Sequence, residues 1–174
     1  MKRVTRDFCA KSVSAFLRAG LCPKGYALRL CGAGDLPVLL AIGKECFAYN
    51  TPTRGETRHM LIKGHGAVIA LEEAKGGMIG YAAVEAHAGR QTLYLNTVAI
   101  VPAFRGKGLG PVLYAFTSFL AEQAQARAIW CHVVSDNVRG IHLLEQSGYE
   151  IVRVEEDYYD DGKAALVMRR NSKA

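Results

Sequence analysis

The chemistry that can be read from this chain starts at one glycine-rich turn. Leu95-Asn96-Thr97-Val98-Ala99-Ile100-Val101-Pro102 is apolar and β-branched, Ala103-Phe104-Arg105-Gly106-Lys107-Gly108-Leu109-Gly110 is basic and rich in glycine, and an apolar helical pattern starts directly after it. A strand that ends in such a turn and enters a helix leaves backbone N–H groups unpaired at the positive end of the helix dipole, where a phosphate can bind. Two nucleotide classes are excluded by spacing. There is no GxxxxGK[ST], and so no hydroxyl to hold Mg²⁺, and there is no GxGxxG dinucleotide fingerprint. His59, His65, His87 and His142 show no metal-ligand spacing, so no metal is expected. Cys9, Cys22, Cys31, Cys46 and Cys131 form no CxxC pair, which reads as reduced thiols in a cytoplasmic protein.

The elements that must position this turn follow from periodicity. Residues 4–21 carry Val4, Phe8, Cys9, Val13, Phe16, Leu17 and Leu21 at helical spacing with basic residues between them, and Gly20 and Pro23 end the pattern. Tyr26–Cys31 alternates as a first strand. Asp35 stands where an N-cap belongs, ahead of a helix with Leu36, Leu39, Leu40, Gly43 and Phe47 on its inner stripe. Residues 53–63 predict a second short helix, and 64–66 a turn. Strands over about 67–71, 78–87 and 91–101 are joined by short glycine-bearing connections, which makes them antiparallel neighbours. The longest helix covers 108–126, an apolar strand covers 128–134, and a helix over 137–147 stops at Gly148. Strands over 149–154 and 164–169 flank an acidic loop, 155–162. The order β-α-α-β-β-β-α-β-α-β-β predicts an α+β fold on a mixed sheet.

Composition bounds the rest. The chain has 174 residues, 50% hydrophobic and 22% charged, which suits one domain with a sizeable core. No apolar run approaches the roughly 18 residues that span a bilayer. The net charge is +6, but residues 1–25 hold six basic side chains and one acid, so the body is nearly neutral and nucleic-acid binding by the core domain is not expected. We therefore divide the chain into a basic N-terminal helix, 1–25, and a domain, 26–174. The helix reads as docked on the domain, as a presequence, or as a membrane-surface segment.

At this point the sequence resembles a known family. Arg105-x-x-Gly108-x-Gly110, preceded by Val98-Ala99-Ile100-x-Pro102, is similar to the acetyl-CoA signature of the GNAT N-acetyltransferases. Val134-Ser135-Asp136-Asn137, Ile141 and Leu144-Glu145-Gln146-Ser147-Gly148-Tyr149 resemble the family's later strand-to-helix segment. The likeness spans about residues 26–170. It implies a mostly antiparallel seven-stranded sheet with flanking helices, splayed between the strands near 91–101 and 128–134. It implies that the N–H groups of Arg105, Gly106, Lys107, Gly108, Leu109 and Gly110 cradle the coenzyme A pyrophosphate. The strand edge at Val98, Ala99 and Ile100 would pair with pantetheine amides. Asn137 would touch the pantetheine arm or cap its helix, and Leu144 would line the same channel.

Two subgroups are most similar, the RimI-type ribosomal-protein alanine acetyltransferases and the NatE-type Nα-acetyltransferases. Both acetylate protein N-termini. RimI-type enzymes carry a glutamate at the position of His132 and a tyrosine at that of Leu144, and both are absent here. The NatE type carries a Tyr…His pair, matched by Tyr94 and His132, which the resemblance makes a water-mediated base system; the alternative is a packing tyrosine and a core histidine. Tyr158 and Tyr159 match the tyrosines that close over a substrate backbone, or plug the sheet. Phe47 and Tyr49 fall where the family places a substrate-facing loop. The acidic group Glu155, Glu156, Asp157, Asp160 and Asp161 reads as a solvated hairpin. An α-amine with a pKa of ~8 is about one-tenth neutral at pH 7, so a weak base suffices for it. The expected activity is acetyl transfer from acetyl-CoA to a primary amine, foremost a protein or peptide N-terminus. A small amine is the alternative acceptor, and a non-catalytic coenzyme A-binding module a third reading. A monomer or homodimer is expected.

Overall fold

The first helix, α1 (Arg6–Arg18), starts at Thr5, whose hydroxyl accepts from the Phe8 N–H. It ends in a Schellman turn: Gly20 has φ +70°, its N–H donates to Leu17 O, and the Leu21 N–H donates to Phe16 O. Its stripe is buried in part: Leu17 and Leu21 are exposed. Val4, Cys9, Val13 and Phe16 lie in the same core as the sheet, and the Phe16 ring meets Phe116 and Phe119 edge-on at 5.4 and 5.6 Å. In the computed structural model of the protein, residues 1–47, 51–62 and 66–172 are described; Tyr49 and residues 64–65 of the expected turn lie outside them.

Seven strands follow the expected order: β1 (Tyr26–Leu30), β2 (Gly66–Glu73), β3 (Met78–His87), β4 (Thr92–Ile100), β5 (Ala128–Val134), β6 (Glu150–Glu155) and β7 (Ala165–Asn171). They form one sheet ordered β1-β2-β3-β4-β5-β7-β6, antiparallel everywhere except between β4 and β5. The helices are α2 (Leu36–Cys46), α3 (Arg54–Ile62), α4 (Leu109–Ala124) and α5 (Val138–Gln146). The sheet separates two cores. Leu93, Leu95, Ile129, Cys131 and Met168 face α1 and α4, and Val68, Ala70, Tyr81, Ala83 and Ala99 face α2 and α3.

Two departures from the sequence reading bear on the site. Asp35 stands at the N-cap of α2 as expected, but its side chain makes no cap hydrogen bond. Its carboxylate takes both terminal nitrogens of Arg29, at 2.7 and 2.9 Å, and the Gly32 N–H, because a guanidinium on the neighbouring strand offers a bidentate pair that a helix end cannot match. Glu155 is not a solvated loop residue: β6 runs one residue further than expected and carries it into the sheet.

β4 and β5 pair only over Thr92–Tyr94 and Ala128–Trp130. A bulge explains the parting. On β3, Ala83 faces Thr97 but the next residue, Val84, faces Leu95, so Asn96 is one residue too many. The extra residue re-phases β4: Leu95 and Val98 both face the α4 core although three positions apart. Beyond Tyr94 and Trp130 the two strands diverge, and on its β5 side the edge of β4 from Leu95 to Ile100 has no strand beside it among the described residues.

Candidate active site

The opening between β4 and β5 is a cleft of about 640 Å³. Its walls draw on every layer: Leu95, Asn96, Thr97 and Val98 from β4, Cys131, His132, Val133 and Val134 from β5, Tyr114 from α4, and Asn137, Gly140 and Leu144 at α5. Phe47, Glu56, His59 and Met60 close it on the α2/α3 side, with Glu85 and Tyr159.

At one end stands the glycine turn. Gly106 and Gly108 have φ of +80° and +73°, left-handed values that a side chain resists, and Gly108 is the N-cap of α4. The Arg105 N–H is spent on Pro102 O at 3.1 Å and does not join the expected cradle, but the N–H groups of Gly106, Lys107, Gly108, Leu109 and Gly110 make no backbone hydrogen bond to a described residue. Five consecutive unpaired donors at an exposed helix start fit a pyrophosphate. The side chains contribute differently. The Leu109 side chain is buried in the core, so only its N–H is available. The Lys107 ammonium lies 4.4 Å from the Phe104 ring centre, and Arg105 Nε donates to Ile100 O at 2.9 Å, tying the turn to the end of β4. The Ala99 side chain points into the α2/α3 core, and that of Ile100 into the other, which leaves backbone at both. Asn137 caps α5, its Oδ1 accepting from the Gly140 N–H at 2.9 Å, and it also lines the cleft; a Cβ at Gly140 would stand 2.5 Å from Asn137 Nδ2.

At the splay point Tyr94 and His132 touch. Tyr94 Oη lies 2.6 Å from His132 Nδ1, and His132 Nε2 lies 3.0 Å from Glu155 Oε2, whose other oxygen accepts from Arg153 at 2.6 and 3.0 Å. Strand register accounts for this row. His132 faces Val167 on β7, which faces Arg153 on β6, and residues directly opposite share a face. The Arg153 guanidinium and the His132 N–H hold the Glu155 carboxyl below the usual carboxylate range, so it is an acceptor. Nε2 therefore carries the hydrogen that Glu155 accepts. Burial, then the neighbouring Tyr158 phenol, push the Tyr94 phenol well above its ordinary range, so Tyr94 donates its O–H to Nδ1 of the neutral ring. Tyr158 stacks on His132 with centroids 4.5 Å apart and planes at 17°, and Tyr159 packs against Tyr158 edge-on at 5.0 Å. Tyr94 itself sits just behind the wall that His132 lines.

The structure thus brings together Tyr94, His132, Tyr158 and Tyr159 on one side, and Val98, Asn137 and Leu144 on the other, with Phe47 across the cleft. Sequence reasoning missed Glu155 and Arg153, which lie two strands from His132. It also missed Tyr114, whose position on the apolar stripe of α4 gave no sign of a role. Among the described residues no group of His, Cys, Asp and Glu is arranged to hold a metal ion, and no helix is long and apolar enough to cross a membrane.

A helix start with free N–H groups beside a splayed mixed sheet is the architecture of the acetyltransferase class that the sequence resembles. The sequence profile of the Acetyltransferase (GNAT) family matches residues 37–149, and the chain belongs to that family; it is an N-acetyltransferase. Its relatives include an N-alpha-acetyltransferase of Sulfurisphaera tokodaii, 24% identical over 156 residues that cover 83% of this chain and 92% of that one. Streptothricin acetyltransferase of Streptomyces lavendulae is 30% identical over 99 residues, and this match takes in 55% of the chain and about half, 52%, of that protein. In fold, the ribosomal-protein-S18-alanine N-acetyltransferase of Escherichia coli superposes with a TM-score of 0.77 at 21% identity, covering 86% of this chain and 96% of that one.

Proposed function

We propose that the protein transfers the acetyl group of acetyl-CoA to the α-amine of a protein or peptide N-terminus, and that it does so in the cytoplasm. The carrying observation is the hydrogen-bonded row Tyr94–His132–Glu155 under the Tyr158–Tyr159 pair, at the point where β4 and β5 part. Acetyl-CoA supplies an activated thioester. The free N–H groups of 106–110 and the open edge of β4 suit its pyrophosphate and amide groups. Free Cys9, Cys22, Cys31, Cys46 and Cys131 support a reducing compartment.

Both ring nitrogens of His132 are engaged, so a proton enters the row at the lone pair of Tyr94 Oη. Tyr94 stands behind the cleft wall, and a water carries the proton from the amine to it. The phenol's own proton then moves to Nδ1, and the Nε2 proton is held by Glu155 next to solvent. Such a relay is sufficient for an α-amine and weak for a lysine side chain, which at pH 7 is neutral at only about one part in 2,500.

Two relatives named N-alpha-acetyltransferase, matched across 92% and 90% of their length, support the peptide reading. A small amine is the second reading. It is favoured by the α2/α3 wall, where Phe47, Pro52 and Met60 narrow the cleft, and by the streptothricin relative. The test is acetyl-CoA turnover, read by thiol release, on peptides with free or blocked N-termini beside a panel of amino acids, polyamines and aminoglycosides. Transfer confined to free N-termini is the expected result. Equal rates on free and blocked peptides, or turnover of small amines alone, would overturn it.

A further inference from the structure

Departure of coenzyme A needs a proton, and Leu144 supplies none. The row at His132 lies on the α2/α3 face of the sheet. The α4/α5 face, reached by the next side chain along β5, Cys131, is separate. On that side of the cleft the wall is Tyr114, Cys131, Val133, Gly140 and Leu144 with the capping residue Asn137. Two of these carry an acidic hydrogen. The Tyr114 phenol is 7% exposed, lines the cleft, packs edge-on against Tyr149 with centroids 6.3 Å apart, and makes no hydrogen bond to a described residue. Unlike the Tyr149 hydroxyl, which is sealed in the core without a partner among the described residues, the Tyr114 hydroxyl is open to the cleft and free to donate there.

We propose that Tyr114 is the proton donor to the departing thiolate, taking from α4 a role that Leu144 on α5 cannot fill. This rests on acetyl transfer from acetyl-CoA in this cleft and not on which amine accepts. As the tetrahedral adduct collapses, the C–S bond breaks with its electron pair on sulfur. The Tyr114 O–H proton passes to that sulfur, giving the free thiol, and the phenolate recovers a proton from water as products leave. The amine's proton has left through Tyr94 on the other face, so the overall change is amine plus thioester to amide plus thiol.

Cys131 shows what the pocket does to a thiol: burial pushes it up to about 12. A thiolate released against the same wall is far more basic than in water, and it leaves poorly without a donor. Burial likewise keeps the Tyr114 phenol protonated, well above its ordinary range. Cys131 is the poorer donor, because S–H bonds weakly and its thiolate would compete for the acetyl group.

The experiment compares the wild type with Tyr114→Phe and with Tyr149→Phe, whose ring is as buried but does not line the cleft. Turnover is measured on whichever amine the enzyme accepts, so failure of the peptide acceptor refutes the acceptor reading and leaves this comparison intact. Tyr114→Phe is expected to lower kcat about 10- to 100-fold, the loss of one hydrogen bond to a charged group, with the KM for acetyl-CoA within about twofold. The second readout needs no turnover. Coenzyme A bound to each protein is titrated by its ultraviolet thiolate absorbance, and its thiol titrates about one pH unit higher in Tyr114→Phe than in the wild type. Tyr149→Phe behaves as the wild type in both. A kcat within threefold of wild type, an unmoved thiol titration, or an equal effect of Tyr149→Phe would each overturn the proposal.

Discussion

Tyr94 and His132 lie in series, and that makes a quantitative prediction. At 2.6 Å from Nδ1, and with its ionisation pushed up by burial, Tyr94 is below about one part in a thousand phenolate at pH 7. It cannot act as a base by itself; it accepts a proton only as it hands its own to His132. Tyr94→Phe cuts the first link and His132→Ala the second. Loss of a general base costs about 10²-fold or more, so each single variant should lose about 10²-fold in kcat, or about 2.7 kcal/mol of transition-state stabilisation. Groups that act as one unit are not additive. The double variant should therefore also lose about 10²-fold, not the 10⁴-fold of independent groups, a coupling of about 2.7 kcal/mol. Steady-state thiol release at saturating acetyl-CoA measures this, with melting curves to confirm that all three variants are folded. A double variant near 10⁴-fold down would refute the series arrangement, and a Tyr94→Phe enzyme within threefold of wild type would remove Tyr94 from the path.

Three further outcomes follow from the geometry. Glu155→Leu removes the acceptor of the Nε2 hydrogen and should lower kcat about tenfold, as loss of a histidine's orienting partner does elsewhere, while Glu155→Gln keeps an amide oxygen there and recovers most of it; equal loss in both would mean that charge and not orientation matters. Phe16→Ala empties a fully buried site between Phe116 and Phe119 and should destabilise the protein by about 3–5 kcal/mol in urea titration; a loss under 1 kcal/mol would make α1 a loosely attached extension. Arg29 lowers the Asp35 pKa, so this pair stabilises the fold above the unfolded value of about 3.9 and the contribution fades as pH falls through the lower folded value. Arg29→Met should thus lower the melting temperature at pH 7, with the gap to wild type closing below about pH 4; a gap independent of pH would assign the loss to packing.

What could be read from the sequence was local. Gly106 and Gly108 announce left-handed turns, Arg105 and Lys107 beside them announce an anion, and the apolar stripe after Gly108 announces the helix, all within one short segment. Asn137 has a free neighbour at Gly140 and so caps its helix as its type suggests. What could not be read depends on register between strands. Nothing about Asn96 marks it as a bulge, because the mismatch exists only between Ala83–Val84 and Leu95–Thr97. Glu155 looked like one acid among five. It reaches His132 because β6 itself carries a bulge between Ile151 and Arg153, which sets Arg153 opposite Val167. Asp35 takes the N-cap position that its type announces, yet its carboxylate goes to Arg29, on a different element, and not to the helix end.

The alternation of β5 links these observations into one arrangement. Cys131 and His132 are consecutive, and in a strand consecutive side chains point to opposite faces. Where β4 and β5 are joined, the faces are sealed from one another; just beyond Tyr94 and Trp130 the strands part, and a single cleft reaches both. A proton acceptor on one face and a proton donor on the other can then serve the same carbonyl carbon without neutralising each other. Had Tyr94 and Tyr114 shared a face, a direct hydrogen bond between them would have been available, and the row to Glu155 would have had a competitor at its first link. The bulge at Asn96 is what keeps the arrangement open: remove the extra residue, and β4 regains its phase and can continue pairing with β5, closing the gap through which the two chemistries meet.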